Sequence, residues 1–388
     1  MKLFSRLKKT SAAMIPAHLL SALGCEGRAL AESFLAACPM HTPTPLLRVP
    51  LAGLASLHVK DESQRLGLGS FKALGGAYAV MSLVLARASE QLKRPLLPQD
   101  LLLPEVRSVA SSITVACATD GNHGRSVAAG ARICGCSAKI FIHEHVSTAR
   151  ADAIAAFGAS MVRVQGGYDE SVIAAADAAA TEGWQIVSDT SYEGYEAIPL
   201  TVMQGYTVMA GEAFDQLKES QHLPPTHIFL QAGVGGLAAA VAAHALAVFG
   251  AQKLPRIVVV EPLRAACLFA SAQAGRAVTV PSEQPTLMAM LECHTPSPIA
   301  WQVLDALASH YLALEEDEAL SGMLHLADVG VVGGESGAAG LSGLIAGLKD
   351  ESVRSALGLS ADSRVLVFNT EGATDPSIYA NLLKRART

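Results

Sequence analysis

Along this chain, short runs of continuous apolar residues, many of them β-branched, alternate with longer stretches whose apolar positions recur at helical spacing. The short runs at 57–60, 114–118, 139–142, 161–164, 185–187, 227–230, 257–260 and 364–368 are expected to be strands. The longer stretches at 72–88, 124–134, 149–157, 169–181, 199–217 and 237–249 are expected to be helices. Strands that are apolar throughout, with helices between them, predict parallel sheets covered by helices on both faces. The proline- and leucine-rich segment 95–105 reads as a connection within or into a smaller domain.

Length and composition sharpen this picture. At 388 residues the chain exceeds one typical core, so two domains are expected. With 51% hydrophobic and only 16% charged residues, a large core can be buried. A net charge of -6 gives no reason to expect a nucleic-acid partner. The segment 228–251 is long enough to span a bilayer, but Gly233, Gly235 and Gly236 divide it into a strand, a turn and a helix. No membrane partner is therefore expected. The N-terminus is basic through Lys9, then mildly apolar up to Cys25, which loosely matches an export signal. Pro16 and His18 interrupt that apolar part, and a cytoplasmic location is expected. Seven scattered cysteines form no Cys-x-x-Cys pair, which argues against a metal site and fits a reducing compartment.

The candidate chemistry lies mostly where strands end, the edge at which open parallel sheets bind ligands. Lys72 follows Lys60-Asp61-Glu62-Ser63 and stands in Ser70-Phe71-Lys72-Ala73-Leu74-Gly75-Gly76, on a turn that opens a helix. A helix N-terminus and burial are both expected to lower its pKa and free the amine as a nucleophile. A surface lysine is the plainer reading. In Ala118-Thr119-Asp120-Gly121-Asn122-His123-Gly124, successive N–H groups suit an anion, and Asn122 can donate to a phenolic oxygen. Asp120 there either caps the helix or faces a positive group on the substrate. Asp189, in Ser188-Asp189-Thr190-Ser191-Tyr192, is a general base or an ordinary turn acid. The loop Gln231-Ala232-Gly233-Val234-Gly235-Gly236 can cradle a phosphate. It departs from the dinucleotide pattern Gly-x-Gly-x-x-Gly, and Glu261 stands open as a ribose-binding acid. Thr370 offers a strand-end hydroxyl to a pyridine nitrogen. The segments 333–337 and 369–372 also read as tight turns.

Taken in this order, these motifs resemble the fold-type II pyridoxal-phosphate enzymes, the group of threonine dehydratase and tryptophan synthase β. Within the group the chain looks most like the diaminopropionate ammonia-lyases, over residues 42–379. The run from Asp189-Thr190-Ser191 through Gly194-Tyr195-Glu196, Ile198-Pro199 and Gln204-Gly205-Tyr206-Thr207 carries that likeness, as do Thr370-Glu371-Gly372 and Thr374-Asp375-Pro376. The departures are Gly69-Ser70 before Phe71, Tyr192 in a frequent tryptophan position, Gly235-Gly236 for Gly-Ser, and His294-Thr295 after Cys293.

The resemblance implies an α/β fold of two open, mostly parallel twisted sheets with helices on both faces and the cofactor in the cleft between domains. Residues 1–84 and 205–388 would form the large cofactor-binding domain, and 85–204 the small one. It implies pyridoxal 5′-phosphate as cofactor, an amino acid as substrate and a homodimer. Lys72 would form the Schiff base beside Phe71. Asn122 would meet the ring oxygen, Gly233, Val234, Gly235 and Gly236 the phosphate, and Thr370 the ring nitrogen. Ser70, Thr119, Asp120, Gly121, His123, Asp189 and Tyr192 would bind substrate. The implied reaction is α,β-elimination of 2,3-diaminopropionate to pyruvate and two ammonia. Asp120 would face the departing β-amine. Lys72 and Asp189 would act as bases for the L and D isomers from opposite faces. Cys267 and Cys293 match a cysteine pair that the family can place near the site entrance. A serine or threonine dehydratase of the same fold is the alternative activity, and a non-catalytic ligand-binding protein the alternative class.

Overall fold

The computed structural model describes residues 1–6, 12–36, 38, 40–119 and 121–388. Its strands, in chain order, are β1 (Lys2–Ser5), β2 (Leu46–Val49), β3 (Ser56–Asp61), β4 (Thr114–Ala118), β5 (Ser137–His143), β6 (Ser160–Val164), β7 (Gln185–Ile186), β8 (His227–Gln231), β9 (Arg256–Pro262), β10 (Ala308–Leu314) and β11 (Arg364–Asn369). A seven-stranded sheet runs β1-β10-β9-β8-β11-β3-β2, and a four-stranded sheet runs β6-β5-β4-β7. The small sheet is parallel throughout. In the large sheet only the two edge strands are antiparallel: β1 pairs Leu3 with Leu312, and β2 pairs Leu47 with Val59. At its centre β11 lies between β3 and β8, with Val367 opposite both Val59 and Phe229.

Three strands escaped the sequence pattern, each for a local reason. β1 carries Lys2 and Ser5 and no fully buried residue, so it reads as a polar start. β2 spans only four residues between Pro45 and Pro50. β10 opens with Ala308, Ser309 and His310 directly after the helix Pro298–Leu307, which hides an otherwise buried strand. The apolar stretch behind the basic start is a core helix, Ala17–Leu23, in which Leu19 and Leu23 are fully buried. The 228–251 segment resolves into β8, a glycine turn and the helix Gly236–Phe249. Among the described residues one helical run, Phe71–Leu92, is long and apolar enough to cross a membrane, and 67% of its apolar window is buried inside the protein.

The end of β3 is anchored by charge rather than by apolar contact. Lys60, Glu62 and Arg65 have no exposed surface, and Glu212 on the helix Ala197–Glu219 is buried with them. Arg65 grips both acids: Nε and Nη2 donate to Glu62 at 2.7 and 2.8 Å, and Nη1 and Nη2 donate to Glu212 at 2.8 and 2.6 Å. Lys60 Nζ meets Glu212 Oε2 at 2.7 Å and donates to Thr44 O at 2.7 Å and Gln216 Oε1 at 2.9 Å. Thr44 Oγ1 donates to Glu62 Oε1 at 2.5 Å. Burial draws Lys60 below the ordinary lysine range, while the carboxylates pull the other way. Two cations and two anions make the cluster neutral, so it tolerates desolvation only as a complete set.

Removing one member exposes that dependence. Glu212→Gln leaves Arg65 and Lys60 with excess positive charge in a dry site, and the expected loss is about 3–5 kcal/mol in unfolding free energy. Urea unfolding of the variant checks it; a loss under about 1 kcal/mol would mean that solvent relieves the cluster.

Candidate active site

From β3 the chain passes through the ion cluster to a 3-10 turn, Phe71–Leu74, before the helix Gly76–Leu92 begins. The end of β11 fixes this turn. Phe71 N donates to Thr370 O at 2.9 Å, Gly372 N donates to Gly69 O at 3.1 Å, and Ser70 pairs with Glu371. On the other side the turn presses on Tyr206, where a Cβ at Gly75 would stand 2.5 Å from the ring. Only glycine fits so close an approach.

Lys72 Nζ forms an ion pair with Asp189 and lies 5.3 Å from the Phe71 ring centre and 5.9 Å from that of Tyr206. Burial is the largest influence and pushes the amine down, as the sequence suggested, but Asp189, Tyr206 and Cys293 together hold it above the usual lysine range. The expectation of a depressed lysine therefore fails, because the motif alone shows nothing of a partner 117 residues away. Burial favours the neutral acid at Asp189, and Lys72 overrides that, keeping the group below the carboxylate range. His123 Nε2 donates to Val187 O at 2.8 Å, which leaves Nδ1 as a bare nitrogen 3.9 Å from Asp189 Oδ2. Burial pushes His123 below its ordinary value, so the ring stays neutral beside the pair.

The glycine loop leaves β8 and opens the helix Gly236–Phe249. Gly235 has φ +100°, a conformation that L side chains avoid. Among the described residues no protein acceptor takes the N–H groups of Gly233, Gly235 or Gly236. Free amides at a helix N-terminus fit a phosphate. Gln231 Nε2 donates to Gly337 O at 2.6 Å, Phe368 O at 2.9 Å and Thr370 Oγ1 at 2.9 Å. The two N–H hydrogens are shared among these three acceptors, and an amide nitrogen accepts none, so Thr370 keeps its own proton to donate. Asn122 Nδ2 donates to Glu371 Oε2. Thr119 Oγ1 accepts from Gly121 N and Gly124 N, both at 3.1 Å, and so caps the helix Asn122–Cys134.

The structure thus brings Lys72, Asp189 and His123 into one cluster, with Phe71, Ser70 and Thr370 tied to the lysine turn. Asp120 lies outside the described residues. Tyr192 is 53% exposed and stacks on Tyr195 with ring centres 4.8 Å apart. Glu261 is not a ligand group: its two oxygens accept from Leu268 N and Phe269 N, each at 2.7 Å, and cap the helix Cys267–Ala274. Cys267 and Cys293 both lie against Gly233 and are not bonded to each other. Sequence reasoning missed Tyr206, whose buried phenol faces Lys72, and the buried acids Glu335 and Glu371. All three stood inside motifs already singled out. Gln231, the residue that directs Thr370, directly precedes the glycine loop.

Three comparisons bear on this site. Residues 38–371 match the family described as pyridoxal-phosphate dependent enzymes. The chain is 36% identical over 368 residues to diaminopropionate ammonia-lyase of Escherichia coli (strain K12), covering 91% of this chain and 90% of that one. A crystal structure of the holo diaminopropionate ammonia lyase from Escherichia coli aligns with a TM-score of 0.87 and 33% identity, over 100% of this chain and 97% of that one. The same enzyme in complex with an aminoacrylate–PLP azomethine reaction intermediate aligns with a TM-score of 0.86 over the same shares.

The Lys72–Asp189 pair carries its own test. Its stabilisation is complete between the free values of 3.8 and 10.5; it is lost in acid as Asp189 protonates, and in alkali as Lys72 loses its proton. Asp189→Asn removes the main charge that opposes burial, so the Lys72 amine becomes reactive at lower pH. Acylation of Lys72 in ligand-free protein, followed across pH by peptide mapping, should show a midpoint lower by about one unit or more. An unmoved midpoint would mean that Asp189 does not govern the amine.

Proposed function

The chain belongs to the pyridoxal-phosphate-dependent enzymes, and from that premise we propose that it is a diaminopropionate ammonia-lyase, eliminating 2,3-diaminopropionate to pyruvate and two ammonia. Its cofactor is pyridoxal 5′-phosphate, and it is a carbon–nitrogen lyase. The observation that carries this reading is the convergence at one cleft of the lysine amine, its paired carboxylate and a helix N-terminus with free amides. Lys72 comes from a strand end of the large sheet, and Asp189 and His123 from strand ends of the small one.

The bound cofactor supplies an electron sink for the charge left when the substrate's α-proton departs. The protein's own groups do the rest. The amides of Gly233 to Gly236 hold the phosphate, Asn122 donates to the ring oxygen, and Thr370 donates to the ring nitrogen. A donated hydroxyl proton leaves that nitrogen uncharged, which suits β-elimination. Lys72 takes the α-proton of the L isomer at Nζ. Asp120 faces the β-ammonium group and returns a proton as the amine leaves, help worth about 10²–10⁴ in rate.

Asp189 takes the α-proton of the D isomer from the opposite face, and its contact with Lys72 Nζ also sets the charge of that amine. The same reading extends to a large unit, 1–84 and 205–388, and a small unit, 85–204. Its support is that all four small-sheet strands fall between Thr114 and Ile186. A cytoplasmic homodimer completes the proposal, and the free state of the described cysteines fits a reducing compartment.

Pyruvate release from separate L- and D-2,3-diaminopropionate, beside L-serine and L-threonine, tests the activity. Lys72→Ala should abolish release, and Asp189→Asn should lower the rate with the D isomer more than with the L isomer; an equal fall would overturn the two-base reading. Product from the hydroxy amino acids alone would establish a dehydratase instead. Gly236→Ser tests the phosphate cup. A Cβ there meets nothing closer than Met203 Cγ at 3.5 Å, so a hydroxyl can be added without displacement. A new hydrogen bond to a charged phosphate is worth about 1.5–3 kcal/mol, and cofactor affinity should rise roughly tenfold or more. Unchanged affinity would place the phosphate elsewhere.

A further inference from the structure

Two buried acids sit beside Asn122 and take no part in the steps above. Glu371 is 3% exposed and Glu335 is 6% exposed. The loop bearing Glu335 folds onto Glu371: Gly334 N donates to Glu371 O at 3.0 Å, and a Cβ at Gly334 would stand 3.5 Å from Glu371 Oε1. Glu371 Oε2 accepts the Asn122 side-chain N–H. An amide nitrogen has two hydrogens in one plane, so commitment of one to Glu371 fixes the direction of the other.

We propose that Glu371 is a positioning residue for the cofactor's ring oxygen: from a buried pocket shared with the Glu335 loop, it locks the Asn122 amide with one N–H free to donate. This rests on the reading of Asn122 as the ring-oxygen contact. Neutrality of Glu371 matters because a second negative charge beside a phenolic oxygen would repel the charge that the oxygen carries. Glu335 opposes ionisation of Glu371, while Arg150 on the helix Thr148–Ala155 and Lys72 on the 3-10 turn favour it, and Asp375 adds negative charge next to Glu335. Burial is the largest influence, and together with Glu335 it pushes Glu371 up to about 8. Burial raises Glu335 as well. The proton is held below that pH and released above it, so the cofactor-favouring arrangement belongs to the neutral side.

The test is titration of the full chain with pyridoxal 5′-phosphate from neutral to alkaline pH, following the dissociation constant and the cofactor's absorption spectrum. For the unaltered protein the dissociation constant should climb by up to about tenfold per pH unit once Glu371 ionises. Glu371→Gln, nearly the same shape, should erase that climb. Glu335→Gln should move its onset to lower pH, because the repelling neighbour is gone. A purely structural role would change affinity without changing its pH profile. Glu371→Gln with the unaltered pH profile would overturn the proposal, as would an unaltered protein with a flat one. Asn122→Ala separates the two layers. An unshifted spectrum in that variant overturns the ring-oxygen reading and this proposal with it. A shifted spectrum, beside a Glu371→Gln protein that titrates normally, overturns the role of Glu371 alone.

Discussion

The buried set of Lys60, Glu62, Arg65 and Glu212 is the constraint on which the rest of the molecule depends. It ties the end of β3 to the residues before β2 and to the long helix Ala197–Glu219. Glu62 N also donates to Asn369 O at 2.8 Å, so the same corner holds the end of β11. Thr370 and the lysine turn therefore leave one rigid frame side by side. An apolar corner of equal volume would satisfy stability as well. What it lacks is direction: a guanidinium fork that meets two carboxylates accepts one geometry, and the turn carrying Lys72 inherits it.

The site uses its acids in opposite ways, and environment decides which. Asp189 faces a cation and stays ionised against the pull of burial. Glu371 lies under the loop that bears Glu335; burial and then the charge of Glu335 raise Glu371, and burial raises Glu335. Sequence shows only carboxylates, each at the end of a strand or in a turn. Their division into charged and neutral groups needs the neighbours that the fold supplies.

That difference explains what was legible in the sequence. Every strand with a continuous apolar run was readable, because burial on both faces writes itself into composition. The strands that escaped are the edge strands β1 and β2 and a β10 opened by Ser309 and His310. Lys72, Asn122, the glycine loop and Thr370 were legible because strand-end motifs have local chemical logic. The sign of the Lys72 shift was not, since it depends on Asp189. Glu261 had a spacing that left a ligand role open, and only the helix it caps explains it. Gln231 precedes the glycine loop, but its work is done on Thr370, 139 residues away.

Two helix N-termini meet at this cleft, one on each sheet: Gly236–Phe249 behind the glycine loop and Asn122–Cys134 behind the Asn-His turn. Each presents partial positive charge, so the empty field favours anions. Amino-acid carboxylate and cofactor phosphate answer that field. A substrate with a second ammonium group does not, and it needs negative charge placed against the dipoles. Asp189 supplies it at Lys72. A hydroxy amino acid has no need of such a counter-charge.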